Sequence, residues 1–201
     1  MTSVLAEADR GKLDPTSDTL FYDSPRFVYH VDTGFVQQLT QLYRELLPPD
    51  GRIFDLMSSW VSHLPPEVNY RFVQGHGLNG EELARNERLD AHFVQNLNEN
   101  QVLPLDDASF DAVLNTVSVQ YMQYPERIFA EIYRVLKPNG IAIISFSNRM
   151  FPHKAIQAWL ERSDAQRLQL VKRYFESVQG FGEIETIAKS GRRFLVSGDP
   201  F

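Results

Sequence analysis

The stretch LPLDDASFDAVLNTVSVQYMQYPERIFAEIYRVLKPNGIAIISF, residues 103–146, predicts two buried strands joined by one helix. Pro125 suits the first turn of that helix, and Asn139 and Gly140 follow its last turn. The run IAIISF, residues 141–146, is continuously apolar, which is typical of a parallel strand covered by helices on both faces. The stretch therefore predicts a strand–helix–strand unit of a parallel sheet.

Strands and helices also alternate upstream of this unit. Apolar residues recur at helical spacing between residues 32 and 47, and Pro48 ends that helix. Asn79 and Glu82 have the spacing of a capping box at the start of a short helix. Strands are predicted near residues 52–57, 70–74, 91–96, 111–116 and 141–146. The order predicts an α/β fold with a largely parallel central sheet flanked by helices.

The two ends of the chain differ from this pattern. Residues 1–20 are polar and show no apolar period, so we expect a flexible N-terminal arm followed by a single domain over residues 21–201. After the last central strand, helices are predicted around 153–161 and 164–178. Two late strands are predicted at EIETIAK, residues 183–189, and RFLVS, residues 193–197.

Composition excludes several classes of protein. Among 201 residues, 43% are hydrophobic and 23% charged, the profile of a soluble globular chain, which we expect to be cytoplasmic. A net charge of −6 disfavours nucleic-acid or membrane partners. The chain has no Cys and five scattered His, so its spacing indicates neither a disulfide nor a metal site. We expect a small-molecule substrate, and the sequence is compatible with a homodimer.

Two motifs resemble a known family. The segment LPLDDASFD, followed by the turn RVLKPNG at residues 134–140, closely resembles the second half of class I S-adenosylmethionine-dependent methyltransferases of type 11. Asn139 stands where the family has glycine, and Asn tolerates a positive φ. The motif SSWVSHLP, residues 58–65, resembles a branch of this family from plants and photosynthetic bacteria. The resemblance implies a Rossmann-like methyltransferase fold and S-adenosylmethionine as the cofactor.

The resemblance also implies positions for the cofactor site. The family's first strand ends in an acidic residue followed by G-x-G-x-G; here Asp55 matches the acid, but Met57, Ser59 and Val61 replace the glycines. The family's ribose-binding acid falls at Gly77, and its adenine-side Asp falls at Asn96. The cofactor-binding candidates are Asp55, Met57, Ser58, Ser59, Gly77, Asn79, Asn96, Leu97 and Asn115.

These replacements allow two interpretations. In the first, the pocket is remodelled, so that the hydroxyls of Ser58 and Ser59 bind the cofactor and Asn79 and Asn96 bind ribose and base without charge. In the second, Asn79 only caps its helix and Trp60 packs into the core, as in a module that has lost the cofactor. For the turn itself, we expect Asp55 and the two serines to face a ligand.

Methyl transfer depends mainly on alignment of the two reactants and exclusion of water, so no strong catalytic motif is expected. Tyr121 and His63 are the candidates for polar groups that face the substrate. The function we favour is methyl transfer to a small-molecule acceptor. The alternatives are a non-catalytic binding or scaffolding module and, with less support because G-x-G-x-x-G is absent, a nicotinamide-dependent reductase.

Residues 21–31, FYDSPRFVYHV, are unusually rich in aromatic side chains. We expect this segment to fold over the open end of the sheet and to help close the pocket, although it could instead serve only as an apolar lead into the next helix.

Overall fold

The structure, a computed structural model, describes residues 3–188. Its centre is one sheet of five parallel strands in the order β3-β2-β1-β4-β5. The strands are β1 Arg52–Asp55, β2 Phe72–Gly77, β3 Ala91–Val94, β4 Phe110–Thr116 and β5 Leu136–Ser145. The predicted α/β fold with a parallel sheet is confirmed, and each predicted central strand is present with shifted ends.

Within residues 3–188, six α-helices accompany the sheet. They are α1 Asp18–Phe21, α2 Thr33–Leu46, α3 Gly80–Ala84, α4 Pro125–Val135, α5 Gln157–Leu160 and α6 Asp164–Glu176. Pro125 opens α4, and a capping box formed by Ser163 and Gln166 opens α6, both as predicted. No helix within residues 3–188 has the length and apolar character that crossing a membrane requires.

The core lies on both faces of the sheet. In β4, Val113 belongs to the apolar cluster that includes α4 and α6, whereas Ala112 and Leu114 belong to the cluster that includes α2. In β1, Phe54 and Ile53 divide in the same way, and both are fully buried. Burial on both faces explains why these strands are continuously apolar rather than alternating.

The strand order creates a crevice at one edge of the sheet. The chain passes from β1 to β2 and β3 on one side, and then returns to place β4 on the other side of β1. Asp55, at the end of β1, lies in register with Gly75 of β2 and Leu114 of β4. Ligands of open α/β sheets bind outside the carboxyl ends of strands at such a reversal of strand order.

The region after β5 departs from the prediction. The helix expected over 153–161 is reduced to Gln157–Leu160, because the backbone N–H of Ile156 donates to the Gln120 carbonyl and Ile156 pairs with Lys12 as an isolated bridge. Residues 182–188 form no strand, so the prediction of a strand at EIETIAK is wrong for its described part. The predicted strand RFLVS lies outside the described residues.

The N-terminal segment packs on the body from residue 3 onward, unlike the loose arm expected for residues 1–20. Leu5 is buried in the core, and the Glu126 carboxylate accepts the backbone N–H groups of Val4 and Leu5 at 2.7 and 3.0 Å. Farther on, the Asp14 carboxylate pairs at 2.9 Å with Lys154, whose side chain is 0% exposed. The anchors come from α4 and the loop after β5, so the segment's own sequence gave no sign of them.

Candidate cofactor and substrate site

A cavity of about 230 Å³ opens at the carboxyl ends of β1, β2 and β4. The predicted site residues that line it are Asp55, Met57, Ser58, Ser59, His63, Gly77, Asn79, Asn96, Leu97 and Tyr121. Asn115 is the exception among the candidates, because its side chain is fully buried and its Nδ2 donates to the Leu56 carbonyl at 3.0 Å. The structure thus brings together in one cavity residues that the sequence spreads from β1 to the loop after β4.

The turn after β1 keeps a left-handed backbone without glycine. Met57, at the first glycine position of the family pattern, has a φ of 57°. Its backbone N–H donates to Nδ1 of His76 at 3.2 Å, and the N–H of Ser58 donates to the His76 carbonyl at 2.6 Å. A left-handed conformation costs a non-glycine residue about 1–2 kcal/mol, so these contacts with β2 must hold the turn in place.

His76 is a buried neutral imidazole. Its Nδ1 accepts a hydrogen bond from Met57, so Nε2 carries the proton and donates to the Gln95 carbonyl at 2.9 Å. Burial lowers the pKa of His76 to about 4, and the bond to Gln95 opposes that shift only in part. At neutral pH the Nδ1 atom of this imidazole therefore remains a hydrogen-bond acceptor for the turn after β1.

Asp55 is the buried acid at the end of β1. Its Oδ2 accepts the hydroxyls of Ser58, at 2.7 Å, and of Ser62. Burial raises the pKa of Asp55, while the two hydroxyls act in the opposite direction. No basic side chain within the described residues pairs with this carboxylate, so a cationic ligand in the cavity would favour its ionised form.

A second buried acid, Glu82, faces the same cavity. One of its oxygens accepts the Ser59 hydroxyl at 2.6 Å, and the other accepts the backbone N–H of Arg26 at 2.6 Å. The expected capping box therefore forms only by half, because Asn79 caps the Glu82 N–H at 2.9 Å but the Glu82 side chain turns toward the cavity. Glu82 thus links the turn after β1 to the backbone at Arg26.

Asn79 acts as a helix cap and as an anchor. Besides capping α3, its Nδ2 donates to the carbonyls of Tyr22 and Asp23 at 2.8 and 3.0 Å. Both amide hydrogens are thus used within the protein. Asn96 is likewise engaged, since its Nδ2 donates to Glu99 and its Oδ1 accepts the N–H of Asn98. That either side chain binds a cofactor stays a prediction.

Gly77 marks a close approach between two backbones. A Cβ at this position would lie 2.6 Å from the carbonyl oxygen of Ser58, nearer than real side chains come to backbone. The family has an acidic residue here, so the change to glycine removes a carboxylate but lets the turn after β1 pack directly on β2. An acidic side chain at position 77 would collide with the turn after β1 as it stands, so the glycine and the altered turn depend on each other.

A second strained residue lies across the cavity. Val117, after β4, has a φ of 46°, which is an outlier for a β-branched side chain. The Ser118 hydroxyl donates to the carbonyl of Met57 at 3.0 Å and so links the two left-handed turns. Strained backbone of this kind persists where the surrounding structure holds it, commonly at binding sites.

The segment 21–31 covers the cavity, as predicted, and we call it the cover segment. Tyr22, Arg26 and residues 28–31 line the cavity wall. Trp60 holds this segment from below: its Nε1 donates to the Val28 carbonyl at 3.1 Å, and its ring lies 5.0 Å from that of Tyr29. Trp60 is therefore part of the cover contact and not of the core.

His63 and Tyr121, the predicted substrate-facing groups, both line the cavity. Burial lowers the pKa of His63 to about 4, so its imidazole is neutral and weakly basic at pH 7. The Tyr121 hydroxyl accepts the backbone N–H of Phe151 at 2.8 Å, and burial raises the pKa of this phenol. Neither group is a strong base at neutral pH.

Three residues that matter here were not among the sequence candidates: Arg26, His76 and Glu82. Arg26 stood in the aromatic segment that was expected to cover the site, which was the available signal. Glu82 was explained by its capping position, and His76 was one of five scattered His whose spacing indicates no metal site. Their roles depend on contacts between separate strands and loops, which spacing does not reveal.

Comparison with known proteins agrees with the geometry. Residues 77–144 match the methyltransferase domain family, a match that begins at Gly77 and so leaves out β1 and its turn. A methyltransferase from Thermotoga maritima that depends on S-adenosylmethionine superposes with a TM-score of 0.52 at 20% identity over 70% of each chain. That likeness concerns the fold.

Two curated relatives are more similar in sequence. The biotin biosynthesis bifunctional protein BioHC of Teredinibacter turnerae is 30% identical over 109 residues, which cover 54% of this chain and 17% of the relative. The malonyl-[acyl-carrier protein] O-methyltransferase of Hahella chejuensis is 25% identical over 167 residues, 79% of this chain and 59% of the relative. The chain thus matches less than two thirds of the length of each.

The fold and the cavity define a nucleotide-type α/β domain with its ligand site at the carboxyl ends of the strands. Residues 77–144 match the methyltransferase domain family, and the fold superposes on an S-adenosylmethionine-dependent methyltransferase, so the chain is similar to a class whose cofactor is S-adenosylmethionine. The cavity fits that group in two respects. Met57 forms a left-handed turn at the cavity, and the carboxylates of Asp55 and Glu82 suit a ligand with a sulfonium and an ammonium group.

Proposed function

We propose that this protein transfers a methyl group from S-adenosylmethionine to a small-molecule acceptor. The observation that carries the proposal is the left-handed turn after β1, which is kept at Met57 although glycine is absent and which borders the cavity. Residues held in strained conformations cluster at binding sites, where the surrounding structure fixes them. The cytoplasmic location expected from composition belongs to this proposal.

Two carboxylates would hold the cofactor. Asp55 and Glu82 line the cavity from β1 and α3 and supply negative charge toward a cationic ligand. Leu97 supplies an apolar surface near the end of β3 for a base ring. Bound S-adenosylmethionine supplies an electrophilic methyl group; the protein aligns the acceptor and excludes water.

The cover segment and the polar wall would position the acceptor. Tyr121 and His63 face the cavity as a phenol and a neutral imidazole, which can donate or accept hydrogen bonds without adding charge. The low basicity of His63 suits an acceptor that does not need a strong base. Two relatives are named as malonyl-[acyl-carrier protein] O-methyltransferases, which supports oxygen as the accepting atom.

Calorimetric titration with S-adenosylhomocysteine tests this proposal. We expect wild-type protein to bind it, and Asp55→Asn to bind it about tenfold more weakly, because the substitution removes the negative charge and keeps the shape. Asp50→Asn is the matched control: Asp50 precedes the same strand at its other end, is exposed, and pairs with Arg71.

Equal weakening by both substitutions would show that general charge, and not the site, governs binding. If wild-type protein fails to bind at millimolar S-adenosylhomocysteine, the proposal fails, and the alternative of a module without cofactor takes its place.

A further inference from the structure

The guanidinium of Arg26 is the one cationic group of the cover segment that lines the cavity. Its Nη2 donates to the Phe21 carbonyl at 2.8 Å, whereas Nη1 is buried and has no hydrogen-bond partner. Within residues 3–188 no carboxylate forms an ion pair with this side chain. A buried donor on a permanent cation is costly unless a ligand satisfies it.

Aromatic rings enclose this guanidinium. Its carbon lies 4.4 Å from the ring centre of Phe21, 5.6 Å from that of Tyr22 and 5.8 Å from that of Phe151. Phe151 stacks on Tyr121 at 6.3 Å, so the rings continue to the loops that follow β4 and β5. The rings fix the guanidinium plane and leave Nη1 as its unpaired hydrogen-bond donor.

The backbone N–H of Arg26 donates to Glu82, but the guanidinium of Arg26 packs against the loop that follows β5. Asp55, Met57 and Gly77 lie at the ends of β1 and β2, whereas the guanidinium contacts the ring of Phe151 beyond β5. An anion bound to this guanidinium would lie next to Phe151, in the loop after β5. Asp18, Asp55 and Glu82 place three carboxylates on the cavity wall, against the two guanidinium groups of Arg26 and Arg149, so a single negative charge is favoured over a double one.

We propose that the methyl acceptor is an organic carboxylate with an apolar body, and that Nη1 of Arg26 binds its carboxylate within the aromatic enclosure. That the bound carboxylate accepts a methyl group rests on the proposed function, whereas the carboxylate site itself rests on the geometry of Arg26. It also agrees with the weak bases of the cavity: an oxygen of the ionised carboxylate would form the bond to the methyl carbon as the methyl–sulfur bond breaks, with S-adenosylhomocysteine as the leaving group, so no base is needed.

Ligand-observed NMR with benzoate and benzamide tests the site, since the two probes share shape and differ in charge. We expect wild-type protein to bind benzoate about tenfold more tightly than benzamide, and Arg26→Gln to remove that preference. Arg85→Gln is the matched control, because Arg85 also lies over a ring of the cover segment, Phe27, at 4.1 Å but is exposed and already pairs with Glu81. The control keeps the preference, and thermal melting shows that both variants fold.

Three outcomes overturn the proposal: no preference for benzoate in wild-type protein, equal loss in both variants, or tighter binding of phenylphosphonate than of benzoate. Calorimetry with S-adenosylhomocysteine on the same samples separates this proposal from the proposed function. We expect Arg26→Gln to bind S-adenosylhomocysteine within about twofold of wild type. A loss of that binding would instead assign Nη1 to the cofactor's own carboxylate, whereas failure of wild-type protein to bind it would end the proposed function and leave the carboxylate preference standing.

Discussion

The two halves of the sheet hold a left-handed turn in place by different means. In the half built from β4, α4 and β5, apolar residues and a turn at Asn139 follow the family pattern closely, and Asn139 adopts the expected positive φ of 65°. In the half built from β1, β2 and α3, the glycines and the ribose acid of the pattern are gone, yet Met57 still adopts a φ of 57°. A left-handed turn is present in both halves, but only in the second half does the residue at the turn predict it from the sequence.

The comparison shows which groups allow a left-handed turn without glycine. In the second half, a short polar side chain at Asn139 tolerates the left-handed region by itself. In the first half, Met57 has no such property, and the conformation depends on His76, which accepts its N–H, and on Gly77, which lets the turn approach. Local chemistry suffices in one turn, whereas the other needs its neighbouring strand.

Gly77→Ala gives the largest expected effect on this comparison. The new Cβ would meet the Ser58 carbonyl at 2.6 Å, so the turn after β1 must move away from β2. We expect a loss of about 3 kcal/mol in the free energy of unfolding and no measurable binding of S-adenosylhomocysteine. Urea unfolding and calorimetry measure the two effects.

Gly80→Ala is the matched control for that substitution. Gly80 opens α3, and a Cβ there would lie in ordinary contact with Val94 at 3.5 Å. We expect stability to stay equal or to rise by up to about 1 kcal/mol, because alanine favours helix. If both substitutions cost the same, close packing at Gly77 is not what holds the turn.

The buried histidines give the next effect, in the pH dependence of stability. Burial lowers the pKa of both His63 and His76 to about 4. Between pH 6.5 and pH 4 the unfolded chain therefore binds protons that the folded chain does not, so the free energy of unfolding falls as pH falls. Each histidine contributes about 1.4 kcal/mol per pH unit, or about 2 kcal/mol at pH 5.

Urea unfolding of wild type and His63→Gln at pH 7.5, 6 and 5 checks this. We expect the variant to lose less stability than wild type on acidification, by about 2 kcal/mol at pH 5. His92→Gln, at an exposed position on β3, should keep the wild-type slope. A variant slope equal to that of wild type would mean that the cavity admits the protonated His63.

The smallest effect belongs to the turn that follows the family pattern. Asn139→Gly should change the free energy of unfolding by less than about 0.5 kcal/mol, because both residues accept the left-handed region. Asn139→Ala should cost about 1 kcal/mol, since alanine pays the steric penalty there. Chemical unfolding of the two variants measures these changes in the free energy of unfolding. Equal changes would show that the conformational preference of residue 139 does not explain the turn.

The strands and helices of the sheet could be predicted from residue patterns alone. Continuous apolar runs such as IAIISF, and the periodic face of α4, can be buried in only one way when helices cover both sides. Helix ends at Pro125 and at Ser163 were also readable, because capping depends on residues a few positions apart. So was the place of the cavity, which follows from strand order.

The contacts that hold the site in place could not be predicted in this way, because they join distant parts of the chain. The partner of the Met57 N–H lies 19 positions away on β2, and that of the Arg26 N–H lies 56 positions away on α3. Likewise, the anchors of the N-terminal segment at Glu126 and Lys154 come from beyond β4. Hydrogen bonds and burial between distant segments depend on three-dimensional position, and residue spacing carries no record of it.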